Sequence, residues 1–567
     1  MRSGTRCLAA FVLASFVCTA AFAQWSSDPA VNTPVAVKTG EQSQPKVHAT
    51  SDGGCYISWY DSETGGYDMF LQRLDAAGVP QWAAGGIMLL DSNESSTQDY
   101  GLDVDASDNA LVTFRDDRSG NIQITATKIS PAGAQLWGPN GVQVSAGTAG
   151  KNAPKIAATS DGAVVVAWTP DTPKEIRLQR LDADGAPLWG SGISLPTAAT
   201  FSLADLQASD NGSVILSWVR YETFNGPKHL WTNKLSSTGT RLWGTNHVRV
   251  LDGTGSLQMG NFPPLVPDGH GGAVYAWYTV DPLQCFVQRV LAAGTEAFTH
   301  NGLPVSTDVS RPRTAPSAAF NPATNEIFVF WDEQSGIQYA VYGQKFDEAG
   351  ARQWTNSGAQ ASSFSSNVIS WVRTLVIGSG AFTFWIDEQA YQQQRVYGAR
   401  LDASGAVDCP VFPVSSLLAS KSRLAAWMSP LTVALLAWDD SRNDFSDIYA
   451  QNVQASCGLG WLPAEVSPPG AVQPLVFTDA DTMVWDDKSA SGCESFNVYR
   501  GDAATLGADD YGTCYESSLT ASTCDDPWVP DPGAAATYLV TGRSGSGEGT
   551  LGNKSSGEGR PNAHPCP

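Results

Sequence analysis

Short apolar runs, broken every few residues by Gly, Asp or Asn, make up most of this chain, and the runs come in recurring sets. In the first set, Pro45 to Thr50, Cys55 to Asp61, Asp68 to Leu74 and Pro80 to Leu90 are separated by Asp52-Gly53-Gly54, Gly65-Gly66 and Ala77-Gly78. Runs of this length bounded by such turns predict strands, and four in succession predict an antiparallel meander, strands a to d. Run b ends in an aromatic in every set: Trp59, Phe114, Trp168, Trp218, Trp277, Trp331, Trp385 and Trp438. Run d is opened by Trp25, Trp82, Trp137, Trp189, Trp243, Phe298, Trp354, Cys409 and Trp461, spaced 52 to 57 residues apart. That period is the scale of one propeller blade.

The two aromatic positions hold 14 of the 19 tryptophans. A single small sheet cannot bury both faces, and large flat side chains fill the wedge between neighbouring sheets, so these residues are expected to be packing. Eight sets of runs a, b and c stand against nine candidates for run d. If the segment after Trp25 supplies strand d to the sheet made by Arg423 to Val453, the first and last repeats share a sheet. The ring is then closed by hydrogen bonds and keeps only protected edges. The fold expected is all-β: an eight-bladed β-propeller followed by a small β-sandwich. Seven blades is the alternative, should the divergent set from Val368 to Val407 pack irregularly.

The turn before run d reads Leu74-Asp75-Ala76-Ala77-Gly78-Val79-Pro80-Gln81-Trp82, and again Leu181-Asp182-Ala183-Asp184-Gly185-Ala186-Pro187-Leu188-Trp189. It resembles the tryptophan-docking repeat of eight-bladed quinoprotein-type propellers. The resemblance covers roughly residues 25 to 461 and implies the blade count and a stacking role for each Trp. It does not extend to redox chemistry, because those dehydrogenases use an adjacent Cys-Cys pair and a calcium site, and no two cysteines are adjacent here. After Trp461 the rhythm stops, and Pro463, Pro468, Pro469 and Pro474 mark a linker over 462–475. Thr482 to Trp485, Phe496 to Arg500 and Thr537 to Thr541 then alternate as strands, and the order Trp, Tyr, Tyr over 476–567 resembles a fibronectin type III sandwich.

The N-terminus carries Arg2 and Arg6, an apolar stretch from Leu8 to Val17, and Ala21-Phe22-Ala23 before Gln24. This is the pattern of a cleaved secretory signal over residues 1–23, leaving the propeller to begin at 24 and placing the product outside the cytoplasm, extracellular or periplasmic. The formal charge is −22 and becomes −24 once Arg2 and Arg6 are removed. Such a charge repels phosphate backbones, so nucleic acid is excluded as a partner, and no second apolar span suggests a membrane. A monomer is expected. Eight cysteines remain after the signal is removed, in a compartment where disulfides form. The pairs expected are Cys409 with Cys457, Cys514 with Cys524, and Cys493 with Cys566, with Cys55 and Cys285 as buried thiols.

Two series recur at fixed places. Two residues after the run b aromatic stand Asp61, Asp116, Asp387 and Asp440, with Glu333 in the matching place. These belong to consecutive repeats once the ring closes, and form a candidate arc for a ligand or a cation such as calcium. The competing reading is that each acid caps its own hairpin. In run c, Arg73, Lys128, Arg180, Lys234, Arg289, Lys345 and Arg400 share one position, and each is expected to pair with a neighbouring acid. No cofactor and no catalytic set is indicated. The first expectation is a secreted, non-catalytic binding or scaffold protein that recognises a protein or glycan on one propeller face. The alternative is an extracellular carbohydrate-active enzyme, a glycoside hydrolase or lyase, drawing acid and base from carboxylates such as Asp116, Asp117, Asp439 and Asp440.

Overall fold

The computed structural model describes residues 24–567 except 197–199, 224, 254, 461–465, 467–472, 489–492, 504–505, 507–509, 530–534, 545–546, 553–559 and 561. The signal segment, Trp461 and most of the linker lie outside the described residues. Eight four-stranded antiparallel sheets follow one another. Their strands a to c are Gln42–Ala49, Cys55–Asp61 and Asp68–Leu74 in sheet 1; Gly101–Val104, Ala110–Asp116 and Gln123–Ile129 in sheet 2; and Lys151–Ala158, Val164–Pro170 and Glu175–Leu181 in sheet 3. In sheets 4 and 5 they are Thr200–Ala208, Val214–Tyr221, His229–Leu235, and Leu265–Pro267, Ala273–Val280, Leu283–Val290. Sheet 6 uses Arg313–Asn321, Glu326–Ser335 and Gln338–Phe346, sheet 7 Val368–Ile377, Gly380–Ala390 and Gln393–Leu401, and sheet 8 Lys421–Met428, Ala434–Asp440 and Asp447–Val453.

Strand d of sheet 8 is Thr33–Ala36, which pairs antiparallel with Asp447–Val453. The N-terminal segment thus supplies strand d to the last sheet, the arrangement that the surplus d run left open. The a strands touch in turn from sheet 1 to sheet 8 and back to sheet 1. Eight apolar clusters lie one at each junction between consecutive sheets. In strand b of sheet 1, Cys55, Ile57 and Trp59 face sheet 8, while Tyr56 and Tyr60 face sheet 2. Burial on both faces is why the b runs read as continuous apolar stretches.

Strand d begins later than the Trp that precedes it. Leu74 and Pro80 form an isolated bridge, the chain then swings out, and strand d starts only at Ile87. The detour carries each indole onto the next sheet's c–d turn. Trp25 Nε1 donates to Ala76 O at 3.0 Å, Trp82 to Pro131 O at 3.2 Å, Trp137 to Ala183 O at 2.9 Å and Trp189 to Ser237 O at 2.9 Å. Trp243 docks on Ala292 O at 3.0 Å and Trp354 on Ala403 O at 3.2 Å. The receiving turn needs glycine twice over. Gly78 has φ +86°, and a Cβ there would come within 2.6 Å of the Trp25 ring.

The run c cations each perform one job. Lys128 pairs with Asp105 at 2.8 Å, Arg180 with Asp161 at 2.6 Å, Arg289 with Asp268 at 2.9 Å and Lys345 with Glu326 at 2.9 Å, each acid lying at the a–b turn of the same sheet. Arg73 reaches Asp52 at 2.5 Å and Lys234 pairs with Asp210. Sheet 7 has Gly378-Ser379 at that turn, and Arg400 turns to Asp408 at 2.8 Å instead.

Beyond the ring, a three-stranded sheet (Val476–Phe477, Thr482–Val484, Thr523–Asp525) and a four-stranded one (Thr513–Leu519, Ser495–Asp502, Ala536–Ser544, Gly547–Glu548) share a core of Met483, Trp485, Phe496, Val498 and Val540. The cysteine pairing differs in part from expectation. Cys409 bonds Cys457, as expected, but Cys514 bonds Cys566, and Cys493 and Cys524 are buried thiols, like Cys55 and Cys285. The cause is where Cys566 is held. Cys566 N donates to the Tyr499 hydroxyl at 2.9 Å, and Tyr499 is the register partner of Cys514, so the two Cα atoms lie 5.0 Å apart. Cys524 sits in the other sheet opposite Met483.

Candidate active site at the channel mouth

The a strands line an axial channel, and most of them are bulged where they enter it, on the face that carries the b–c hairpins. The register slips between Ser43 and Lys46, Asn152 and Lys155, Thr314 and Ser317, Ser370 and Arg373, and Ser422 and Ala425. The slip puts one residue in the left-handed region each time: Gln44 at φ +58°, Ala153 at +50°, Ala315 at +49°, Trp371 at +54° and Arg423 at +54°. Alanine tolerates this modestly, whereas for a bulky residue it is a costly conformation that surrounding structure has to impose. The scaffold is thus constant at this level while its side chains differ, and the large ones cluster on sheets 7, 8 and 1. Trp371 is 39% exposed, and the side chain of Arg423 is 40% exposed, both at the mouth.

Asp439 lies beneath Arg423, on strand b of sheet 8, facing sheet 1. Its Oδ1 accepts from Gln44 N at 3.1 Å, its Oδ2 from Ser422 Oγ at 3.0 Å, and Arg423 Nε stands 3.5 Å from Oδ2. Burial pushes this carboxyl up to about 7, against the pull of Arg423 and the two hydrogen bonds. Tyr67 donates to Glu41 Oε2 at 2.6 Å, and that bond holds the phenol up to about 12. Arg423 acts on Tyr67 and Asp439, and Glu41 on Asp439, so the four groups share one electrostatic neighbourhood. Deeper in the channel, Asp99 is held by Lys46 at 2.8 Å and by Lys155. Burial alone would raise the Asp99 carboxyl, but the two lysines outweigh it and hold it well below the usual range.

The acids singled out in the sequence occupy one level of consecutive sheets, each with its own partners. Asp61 meets Lys38 at 3.1 Å, Asp116 meets Arg118 at 2.6 Å, and Glu333 meets Arg313 at 2.9 Å and Arg311 at 3.2 Å. Asp440 is held by Arg442 at 2.6 Å and Lys421 at 3.0 Å, and Asp387 accepts from Asn367 at 2.8 Å. Asp61, Asp116 and Asp440 also accept from the backbone N–H two residues on, capping their hairpins. Asp117 accepts from Asn93 N at 3.1 Å. Among the described residues no three His, Cys, Asp or Glu side chains converge as a metal site. Of the four carboxylates considered for acid–base work, Asp439 is the one brought to the channel mouth with its proton retained near neutrality.

A cavity of about 410 Å³ opens on the opposite face, walled by small residues of the a–b turns such as Ala158, Ser160 and Gly271. Its charged wall residue, Asp210, is taken up by Lys234, so it offers shape but little chemistry. The channel mouth is the better candidate. Sequence reasoning missed Trp371, Arg373 and Arg423. The signal that could have found them is charge: the eight a strands carry Lys46, Lys151, Lys155, Arg313, Arg373, Lys421 and Arg423 against Asp103 and Asp205, in a chain of 56 acids and 34 bases.

No family model matches the chain, and no curated protein matches it in sequence. Solved structures similar in fold are propeller-type enzymes. A polysaccharide lyase, an ulvan lyase, aligns at TM-score 0.41 and 9% identity over 68% of this chain and 96% of that one. A puromycin hydrolase mutant aligns at TM-score 0.41 and 14% identity over 74% of this chain, which spans 61% of the hydrolase. An α-L-arabinofuranosidase from Clostridium thermocellum aligns at TM-score 0.28 and 13% identity, over 45% of this chain and 91% of that one. Against the expectation of a non-catalytic binding or scaffold protein, these structures are those of enzymes, polysaccharide lyases and a glycoside hydrolase among them. At such identities the likeness is one of fold, and the chemistry rests on this chain's own residues. No helix among the described residues is long and apolar enough to cross a membrane.

Proposed function

We propose that the chain is an extracellular carbohydrate-active enzyme, a glycoside hydrolase or lyase. It would act at the mouth of an eight-bladed propeller spanning residues 24–461, with a linker over 462–475 and a fibronectin type III-like module over 476–567. The observation that carries this reading is the Asp439 carboxyl beside Arg423 at a strained channel entrance. A carboxylic acid that keeps its proton near neutral pH can protonate a glycosidic oxygen as the bond breaks. Arg423, 3.5 Å away, can stabilise negative charge that develops on the sugar or on a bound acid group. Trp371 supplies an exposed aromatic face for stacking on a pyranose ring. Glu41, paired with Tyr67, is the second carboxylate in reach of the same space. The acids Asp61, Asp116, Glu333, Asp387 and Asp440 serve as hairpin and inter-sheet anchors in this reading, and the signal segment and disulfides fit a secreted protein.

The test is a screen of the mature protein against neutral and acidic polysaccharides. New reducing ends report hydrolysis, and the ultraviolet absorbance of an unsaturated sugar reports elimination. Turnover that falls by roughly 10²-fold or more in Asp439→Asn, with the fold intact, is the expected result. Turnover of no glycan, or an Asp439→Asn protein as active as the parent, overturns the proposal.

A further inference from the structure

The geometry points to an anion subsite in the channel, formed by Arg373 with Trp371, that takes the carboxylate or sulfate groups of an acidic polysaccharide. Four observations converge on it. First, Arg373 follows the bulge on strand a of sheet 7, and its guanidinium lies 5.5 Å from the centre of the Trp371 ring. Second, its polar contact is a 2.9 Å hydrogen bond from Nη1 to Val372 O, which leaves other N–H groups of the fork open. Third, among the described residues no carboxylate offsets its charge: burial lowers the guanidinium to about 10, and no acid opposes that shift. Other a-strand cations have acids to answer them. Lys46 and Lys155 share Asp99, Arg313 holds Glu333, and Lys421 holds Asp440. Fourth, the a strands carry seven Lys and Arg side chains against Asp103 and Asp205 in a strongly acidic protein, and Arg373 is one that no acid answers.

A half-buried guanidinium without a counter-ion is costly to keep unless something pairs with it. A planar fork beside an aromatic face matches a sugar bearing an acid group: the ring stacks on Trp371 and the acid takes the open N–H groups. The inference rests on the carbohydrate reading for the polymer, but the anion is argued from Arg373 itself.

Binding of the whole mature chain to polygalacturonate, dextran sulfate and uncharged dextran, measured by titration calorimetry at low and moderate salt, tests it. The parent protein should bind one or both charged polymers, more weakly as salt rises, and should bind dextran at least tenfold more weakly. Preference between the two charged polymers identifies carboxylate or sulfate as the group recognised. Arg373→Gln should lose roughly tenfold or more in affinity, and Arg373→Lys should recover part of it. Circular dichroism and thermal melting confirm that both variants fold. Equal binding of dextran, or affinity unchanged in Arg373→Gln, or equal loss in the Gln and Lys variants, overturns the subsite. Asp439→Asn separates the two proposals. If acidic polymers bind through Arg373 yet are never cleaved, the enzyme reading fails and the subsite stands; if cleavage needs Asp439 but is indifferent to Arg373 and to polymer charge, the reverse holds.

Discussion

Cys409 is bonded to Cys457 at the one junction where the chain has no aromatic to dock. Cys409 occupies the place that Trp354 holds one repeat earlier, and Cys457 occupies the place of Gly78, at φ +68°. The carbonyl that elsewhere accepts an indole N–H is here Ala455 O, and Arg400 donates to it instead. A covalent link and an arginine thus replace stacking and a hydrogen bond.

Replacing both cysteines by serine should therefore lower stability by about 2–4 kcal/mol, as expected for opening a closed loop of this size. The double variant Cys409→Trp with Cys457→Gly should recover a good part of that loss and melt at the same temperature with and without reductant. Thermal melts of the three proteins decide it. Failure of the Trp–Gly variant to exceed the serine variant would show that the junction is not equivalent to the others.

Asp439 should set the upper pH limit of activity. A proton donor whose carboxyl sits near 7 is loaded below that pH and empty above it. Turnover is expected to fall as pH rises through about 7, and residual activity of Asp439→Asn should lack that inflection. The pH profile of kcat on the best substrate from the screen is the measurement.

Asp332 is the equivalent residue of sheet 6, and Thr314 Oγ1 donates to it at 3.2 Å as Ser422 does to Asp439. Its Oδ1 is buried without a hydrogen-bond partner, and burial pushes its carboxyl up to about 7. A folded-state pKa above the unfolded value near 3.9 means stability fully present below about pH 4 and lost as pH rises through about 7. Asp332→Asn removes the ionisation while keeping an acceptor for Thr314. It should stabilise the fold by about 1–3 kcal/mol at pH 8 and by little at pH 4, read from denaturant unfolding at the two pH values. Equal effects at both would contradict the assignment.

Arg289 on strand c and Asp268 at the a–b turn of sheet 5 form a pair at 2.9 Å with side chains only 4% and 1% exposed. Asp268→Asn leaves a buried guanidinium without its counter-charge and should cost about 3–5 kcal/mol. Arg289→Met in the same background should restore much of it. Urea midpoints of the single and double variants form the test.

Trp25 is 2% exposed and carries the closing junction between sheets 8 and 1. Trp25→Ala should cost about 3–5 kcal/mol, as for other buried tryptophans. Protection of Asp447–Val453 amides in hydrogen exchange should fall with it, because Thr33–Ala36 then loses its anchor. Unchanged protection there would mean that strand pairing alone closes the ring.

Much of this scaffold is legible in the sequence because each repeat states the same local need. Gly78 and its equivalents are required where an indole lies on a left-handed turn, and the run c cations recur because in sheets 1 to 6 each pairs with its own a–b turn. The site is less legible. Asp61 and Asp440 recur visibly, but their partners Lys38 and Lys421 lie far off along the chain, so the sequence displays the acids and hides part of what neutralises them. Trp371 and Arg423 share a bulge with Ala153 and Ala315, and a position filled sometimes by alanine leaves no motif. Cys514 and Cys566 meet where Cys566 N donates to the Tyr499 hydroxyl, a contact that no spacing rule encodes.

The clasps between sheets all reach the same way round. Trp25 grips sheet 1, Trp82 grips sheet 2, and so on to Cys409, which grips sheet 8. Such a loop behaves as a hoop rather than a chain. With seven links made, the eighth pair is already held face to face, so it forms at high effective concentration and costs little entropy. Break one link and the two sheets beside it become free ends with bare apolar faces. A polymer seated in the channel mouth bears on sheets 7, 8 and 1, the span that holds both the disulfide and the closing strand, and would press on the hoop where it is fastened.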